Sequence, residues 1–540
     1  MARRRRAVTV ARVGSLALRV IPSAFIAILF VWPVAALARR AMAVSTGAGF
    51  GELLSRTHAL HLLGFTLLQA ALSTLLALVV SIPMVWLVAR VRMPGAVALM
   101  VIVTVPFVLP TVVVGIAFRA LLTGPLAVLH LDSGLWPILA AHAFLNVAVF
   151  ARVVGAAWRS LDPRLAQAAT TLGASLPRAF FGVVVPRLLP SVAAASALVF
   201  LFCSTSFGVI IILGNGEIRT LETEIYTQAI GYFQIPEAVA LSLVQIVVVV
   251  AALLLTRLFD APAGTSAAGA ETRFTPHGRQ WIVVGAAVVW TVVVLVGPIA
   301  VLALRSIRPR VGGAWTLGGY RSLATSVNGV TPLATLRYSL LTAALAMAIA
   351  LIVGLLAAVA MHRSRGASAA VGNVIATIPL GISAVTLGFG YLIVLAALPS
   401  QVADSTLIIP CVQALIAIPV VVRIAVPALA SVPDRLRQAA ATLGAGPVRV
   451  FWTVDLPIIG RSLAAAGGFA FVMALGEFGA TSFLARADTT TLPVLIGSAL
   501  NRPGAANLAT AMAASMLLVA VTTVAVVLVE VLRPRTGSVL

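Results

Sequence analysis

Residues 164–174 read RLAQAATTLGA and residues 435–445 read RLRQAAATLGA, the same phrase 271 positions apart. At that displacement, with no gap, Arg178 meets Arg449, Phe180 meets Phe451 and Pro186 meets Pro457. The register extends beyond the phrase, pairing Arg152 with Arg423, Phe207 with Phe478, Gly208 with Gly479, Thr220 with Thr491 and Leu221 with Leu492. Chance supplies one short match in a chain of low complexity. It does not hold a single register across some 70 residues, so the chain is two related halves.

Each copy of the phrase describes a short helix. Leu165, Ala168, Ala169 and Leu172 fall at i, i+3, i+4 and i+7, as do Leu436, Ala439, Ala440 and Leu443, giving one apolar stripe. Asp162 and Pro163 supply a cap and a first-turn proline, in the order Pro433 and Asp434 in the second copy. Gly173 and Gly444 follow where a helix ends in the left-handed conformation. A second short segment then leads through Pro186 or Pro457 into the next apolar run. The helix is too short to cross a bilayer, and an interfacial helix would carry bulky residues where these stripes carry alanine. Small residues at the centre favour close approach by another protein surface.

Around the phrase the chain is membrane-like. Of 540 residues 61% are hydrophobic and 10% charged. The apolar residues form runs of the length, about 20 residues, that crosses about 30 Å of hydrocarbon. Runs at 20–42, 62–89, 96–122, 135–158, 190–214, 236–259, 281–304, 334–361, 369–398, 405–428, 461–485 and 506–532 give twelve spans, six per half. Continuous runs rather than alternation exclude a transmembrane barrel, so the fold class is an all-α polytopic membrane protein with two six-helix halves. The domains are a basic N-terminus at 1–19, a first transmembrane unit at 20–259, a linker at 260–280, a second transmembrane unit at 281–532 and a tail at 533–540. An even number of spans per half makes the halves parallel, related by an axis along the membrane normal, with a pathway between them.

Charge sets the orientation. The net charge of +22 comes from 37 basic residues, all of them arginine. Arginines cluster between spans at Arg90, Arg92, Arg159, Arg164, Arg178 and Arg187, then at Arg363, Arg365, Arg435, Arg437 and Arg449, while the loops at 123–134 and 399–404 have none. The positive-inside rule puts both repeated phrases and both termini in the cytosol, and makes nucleic acid an unnecessary partner for the charge. Arg305, Arg308, Arg310 and Arg321 fall in a loop this topology puts outside. Arg3 to Arg6 precede a first helix with no cleavage site, which reads as retained.

The repeated units, 162–187 and 433–458, resemble the EAA loop of ABC importer permeases: Glu-Ala-Ala, three residues, Gly, then nine or more to a Leu-Pro. The matches are Ala168, Ala169, Gly173 and Pro186, and Ala439, Ala440, Gly444 and Pro457; the family's acid is Gln167 and Gln438 here, so no ionic contact carries over. The resemblance implies a type I permease fold in the bacterial inner membrane. It implies that each loop is a coupling helix seated on one of two copies of a cytosolic ATPase, and that an extracytoplasmic binding protein delivers the solute. ATP and magnesium would reside on the ATPase, because a phosphate-cradling Walker A loop needs a lysine and this chain has none. Two fused kinds of such permease are comparable, thiamine-type and ferric-iron-type. Ser206-Phe207-Gly208, Thr220-Leu221-Glu222, Ile225-Tyr226 and Gln245 resemble the thiamine type.

No nucleophile–base pair or metal-ligand spacing appears, so the chain reads as a transporter rather than an enzyme. Glu477 is an ionisable residue inside a span and, with the polar His142, Asn146 and Gln413, is a candidate for lining the pathway. Hydrogen bonding within the bundle explains the same residues. The rival from another class is an ion-coupled secondary transporter with two parallel repeats. It would carry coupling-ion carboxylates and would not need matched glycine-ended loop helices.

Overall fold

The computed structural model describes residues 18, 20–45, 49–258, 273–325, 330–363, 383–486 and 488–532. Within these the chain is built of helices, which in hydrocarbon satisfy every backbone group inside one segment. Isolated pairing occurs only between Val91 and Phe274 among the described residues. The first half supplies α1 (Val20–Met42), α2 (Ala59–Arg90), α3 (Ala96–Val108), α4 (Thr111–Leu122), α5 (Trp136–Ser160), α6 (Arg164–Thr171), α7 (Leu176–Ser204), α8 (Leu221–Tyr226) and α9 (Ile235–Leu255). The second supplies α10 (Gln280–Ile307), α11 (Pro332–His362), α12 (Ala384–Leu395), α13 (Ile408–Ala430), α14 (Asp434–Thr442), α15 (Pro447–Gly476), α16 (Thr481–Leu484), α17 (Leu492–Leu500) and α18 (Ala505–Val531).

Among the described residues ten helices are long and apolar enough to cross a membrane, or eleven with one bent pair counted as a span. The difference from the expected twelve has two sources, a bent span and the extent of the described residues. The run 96–122 is not one helix but α3 and α4, meeting at 103°. Pro110 disfavours the helical conformation at Leu109, which is extended at φ −65° and ψ 140°. The run 369–398 falls partly on residues 364–382, outside the described residues, and α12 is its described remainder.

The runs 190–214 and 461–485 also start too late and end too late. Each continues back through the second short segment of the loop, so α7 begins at Leu176 and α15 at Pro447. Pro186 and Pro457 lie inside these helices, each just after a widened π-helical turn at Phe180–Val184 or Phe451–Asp455. A proline lacks the N–H that the carbonyl four residues back would use, and its ring crowds that carbonyl, so the turn opens without breaking.

Each half packs around a matching trio, α2 with α5 and α7, and α11 with α13 and α15. Small residues let the trio close: Ala70 and Ala77 on α2, Ala343 and Ala350 on α11, all fully buried. These matched pairs are 273 positions apart rather than 271, so the second half is two residues shorter between its third and fourth spans. The repeat reaches into single hydrogen bonds. Leu221 N donates to Thr66 Oγ1 at 3.1 Å, and its counterpart Leu492 N donates to Ser339 Oγ at 2.7 Å.

The first helix of each half lies on the other half. Ile26 and Phe30 of α1 are buried with Leu387, Tyr391, Ile409, Val412 and Leu415, and the Tyr391 hydroxyl donates to Leu29 O. Gly390 permits this, since a Cβ there would sit 3.1 Å from the Pro33 carbonyl oxygen. In exchange α10 packs on α2, α3 and α4, with Trp290 Nε1 donating to Val80 O at 3.1 Å. Most of the linker at 260–280 falls outside the described residues. Its end does not: Phe274 is clamped by Arg92 N to Phe274 O and Phe274 N to Arg90 O, both 2.9 Å.

Candidate functional site

The repeated phrases fold as the spacing predicts. In α6 the Gly173 N–H reaches Thr170 O and the Ala174 N–H reaches Ala169 O, each at 3.0 Å. In α14 the Gly444 N–H reaches Ala441 O and the Ala445 N–H reaches Ala440 O, again at 3.0 Å. This paired 5→2 and 6→1 ending requires a left-handed residue, and Gly173 and Gly444 sit at φ +90° and +84°. Asp162 Oδ1 accepts from Arg164 N at 2.9 Å at the start of α6. Gln167, Ala168, Gln438 and Ala439 are exposed, Ala169 and Ala440 half-buried, and Pro186 and Pro457 exposed beyond the turns. The apolar stripe is left without cover in this chain: Leu172 is 88% and Leu443 89% exposed.

The two loops differ in how they are held. Arg437 donates through Nε to Asp455 Oδ1 (2.8 Å), through Nη1 to Asp434 Oδ1 (2.9 Å) and through Nη2 to Leu429 O (2.8 Å). Burial, the largest influence, works against its charge, and the bonds to Asp455 and Asp434 outweigh it, so its proton is held more tightly than usual. At the matching positions the first half has Ala166, Val184 and Pro163. A cavity of about 550 Å³ beside the brace is lined in part by His362, Arg437, Ala441 and Asp455. Arg437→Ala strands the buried Asp455 carboxylate, a loss of about 1–3 kcal/mol of local stability. Limited proteolysis is expected to cut the second loop faster in that variant while cleavage at the first loop stays the same.

Between the halves the paired Phe207 and Phe478 stack on each other, centroids 5.2 Å apart and rings within 18°. Matched residues can touch only at the axis relating the halves, so this stack marks it. Tyr226 packs on Phe207 at 5.1 Å and edge-on against Phe483 at 5.3 Å. Its counterpart is Gly497, where a Cβ would come within 3.3 Å of the Phe478 ring. The aromatic cluster fills the seam on the axis.

The four pathway candidates do not form one cluster. His142 Nδ1 shares a 3.0 Å hydrogen bond with Ser73 Oγ across α5 and α2, and Asn146 Nδ2 donates to His142 O at 2.9 Å and to Cys203 Sγ at 3.6 Å. Gln413 is buried at the matching place in the second half. Glu477 turns to its own chain: Oε1 accepts from Ala480 N at 2.7 Å and Oε2 from Thr481 N at 2.9 Å. Those are the orphan donors of α16, so Glu477 caps a helix start inside the bundle. Arg152, the repeat partner of Arg423, donates to Thr104 Oγ1 at 2.5 Å.

Sequence reasoning passed over a second buried carboxylate. Glu222 on α8 is fully buried; Oε1 accepts from Gln245 Nε2 at 2.7 Å and Oε2 from Ser383 Oγ, in the other half, at 2.5 Å. Ser383 also caps α12, accepting from Val385 N and Thr386 N. The signal was present, since Glu222 and Gln245 both fall in the thiamine-type stretch, but nothing in the spacing showed that they meet. Among the described residues no His, Cys, Asp or Glu cluster has a metal-holding arrangement.

Comparison with known proteins agrees with this architecture. Residues 350–538 match the family model described as binding-protein-dependent transport system inner membrane component. The thiamine transport system permease protein of Brucella abortus is 25% identical over 500 residues, covering 87% of this chain and 88% of that one. Its Escherichia coli namesake is 26% identical over 469 residues, 82% of this chain and 85% of that one. The sulfate transport system permease protein of Escherichia coli is 30% identical over 205 residues, 35% of this chain and 72% of its own length. With a repeated glycine-ended loop helix, two woven halves and relatives of this kind, the chain belongs to the binding-protein-dependent transport system inner membrane component family, the permeases of ABC importers.

Proposed function

We propose that this chain forms the pathway of a thiamine importer, driven by two copies of a separate ATPase docked on α6 and α14. Membership in the family already makes it a multi-pass inner-membrane permease that works with an ATPase and a substrate-binding protein. The docking assignment rests on one observation above all: two matched helices, identically terminated, each present an almost fully exposed leucine beside alanines. An exposed apolar stripe of this kind is complementary to a groove, and its duplication fits one ATPase copy per loop. In this reading both loops and both termini face the cytosol, and ATP and magnesium are bound by the partner subunits. Thiamine is supported by similarity over more than four-fifths of the chain to two permeases named for it.

The test is uptake of labelled thiamine by proteoliposomes holding the permease, its ATPase and its binding protein. Uptake should require ATP and stop on its removal while an imposed ion gradient persists. Uptake driven by the gradient alone would favour the secondary-transporter alternative and overturn the proposal.

A further inference from the structure

We propose that Glu222 is the anionic end of a subsite for a positively charged group of the translocated solute, held shut in this arrangement by Ser383 of the opposite half. The proposal rests on the thiamine reading for its solute and goes beyond it in naming the site. The carboxylate is fully buried, and its partners among the described residues are neutral donors, the Gln245 amide and the Ser383 hydroxyl. Arg219, three residues earlier, is committed to Glu224 at 3.2 Å. A carboxylate in the bundle without a cation is costly, and residues of this kind mark solute pathways.

The surroundings add to the negative field. The carbonyl end of α7 arrives here, with Cys203 O accepting from Gln69 Nε2 at 2.8 Å and Ser204 O from Gln245 Nε2 at 3.4 Å. Helix C-termini carry partial negative charge and favour cations. The other atoms of those two amides, Gln69 Oε1 and Gln245 Oε1, are buried acceptors with no donor among the described residues. Carboxylate, helix end and two spare acceptors together ask for a ligand that is positive and donates hydrogen bonds. Tyr226, four residues after Glu222 on α8, joins this helix to the aromatic seam through Phe207 and Phe483.

The second half has no such site. At the positions matching Cys203, Ser204, Glu222 and Gln245 stand Ala474, Leu475, Pro493 and Met516. Polar recognition is therefore confined to one side of the seam. Ser383 reaches it from the other side, rigidly placed as the cap of α12. When the halves separate to admit a solute, that hydroxyl withdraws and the solute's own donor takes its place on Glu222.

The test uses the same reconstituted complex and measures thiamine moved per ATP hydrolysed. Glu222→Gln should lower that ratio at least about tenfold, with transport falling further than hydrolysis, and Glu222→Asp should recover part of it. Ser383→Ala keeps the carboxylate and frees the seam, so it should raise solute-free ATP hydrolysis and lower the ratio less than Glu222→Gln does. An unchanged ratio in Glu222→Gln, or equal losses in Glu222→Gln and Ser383→Ala, would overturn the subsite. If the wild-type complex carries an anion such as sulfate and no thiamine, both proposals fall. If it carries a different cation and Glu222→Gln still impairs it, only the thiamine reading falls.

Discussion

Aspartate at both Ala169 and Ala440 is expected to abolish ATP-driven uptake while the permease still accumulates in the membrane. Both positions lie in the last turn of a loop helix, half-buried at the base of an otherwise uncovered stripe. Within the chain the change is mild. Helix propensity and an acid near the carbonyl end of the helix together cost about 1–2 kcal/mol. Against a partner's groove it is severe, because an unpaired carboxylate removed from water costs several kcal/mol per ion. Two loops multiply the loss, so the double variant should lose the ATPase on purification and show uptake at background. Each single variant should retain a weakened complex. Uptake at the wild-type rate in the double variant would rule out docking through these helices.

Glu477→Ala is expected to act on folding rather than on solute. It leaves the Ala480 and Thr481 N–H groups at the start of α16 without acceptors in a buried setting. Each stranded donor costs about 1–3 kcal/mol, the scale that decides whether a polytopic chain accumulates. The measurement is the midpoint of thermal aggregation in detergent, which should fall in Glu477→Ala and fall less in Glu477→Gln, whose amide oxygen still accepts. A pathway role would give the reverse pattern, with normal thermal behaviour and lost transport in both variants. Glu222→Gln provides the contrast, since its expected signature is lost transport per ATP.

Much of this was legible from the residues. The displacement of 271 located both loops, and the stripe and glycine foretold a helix with a left-handed end, because those features are set by local chemistry. What escaped was whatever depends on tertiary packing. The run 96–122 reads as one span since apolar residues flank its break on both sides, although Pro106 and Pro110 four residues apart are a local signal for one. Glu477 drew attention as a lone carboxylate in an apolar run, yet its partners are three and four residues away in its own chain. Glu222 drew less, yet one partner is 161 positions distant, and no periodicity reports such a meeting. The unequal brace at Arg437 was visible only as an alanine-to-arginine difference within the repeat, without meaning until Asp455 stood beside it.

The exchange of first helices sets the order in which this protein can be made. α1 leaves the ribosome well before Tyr391, whose hydroxyl it holds at Leu29 and which follows 362 positions later. Until then the face bearing Ile26 and Phe30 must wait in lipid. Joining the halves in one polypeptide guarantees that the awaited partner is always synthesised alongside, in equal amount and in the same patch of membrane. A chain cut short after its first half would be left with an orphaned helix, a ready mark for membrane quality control.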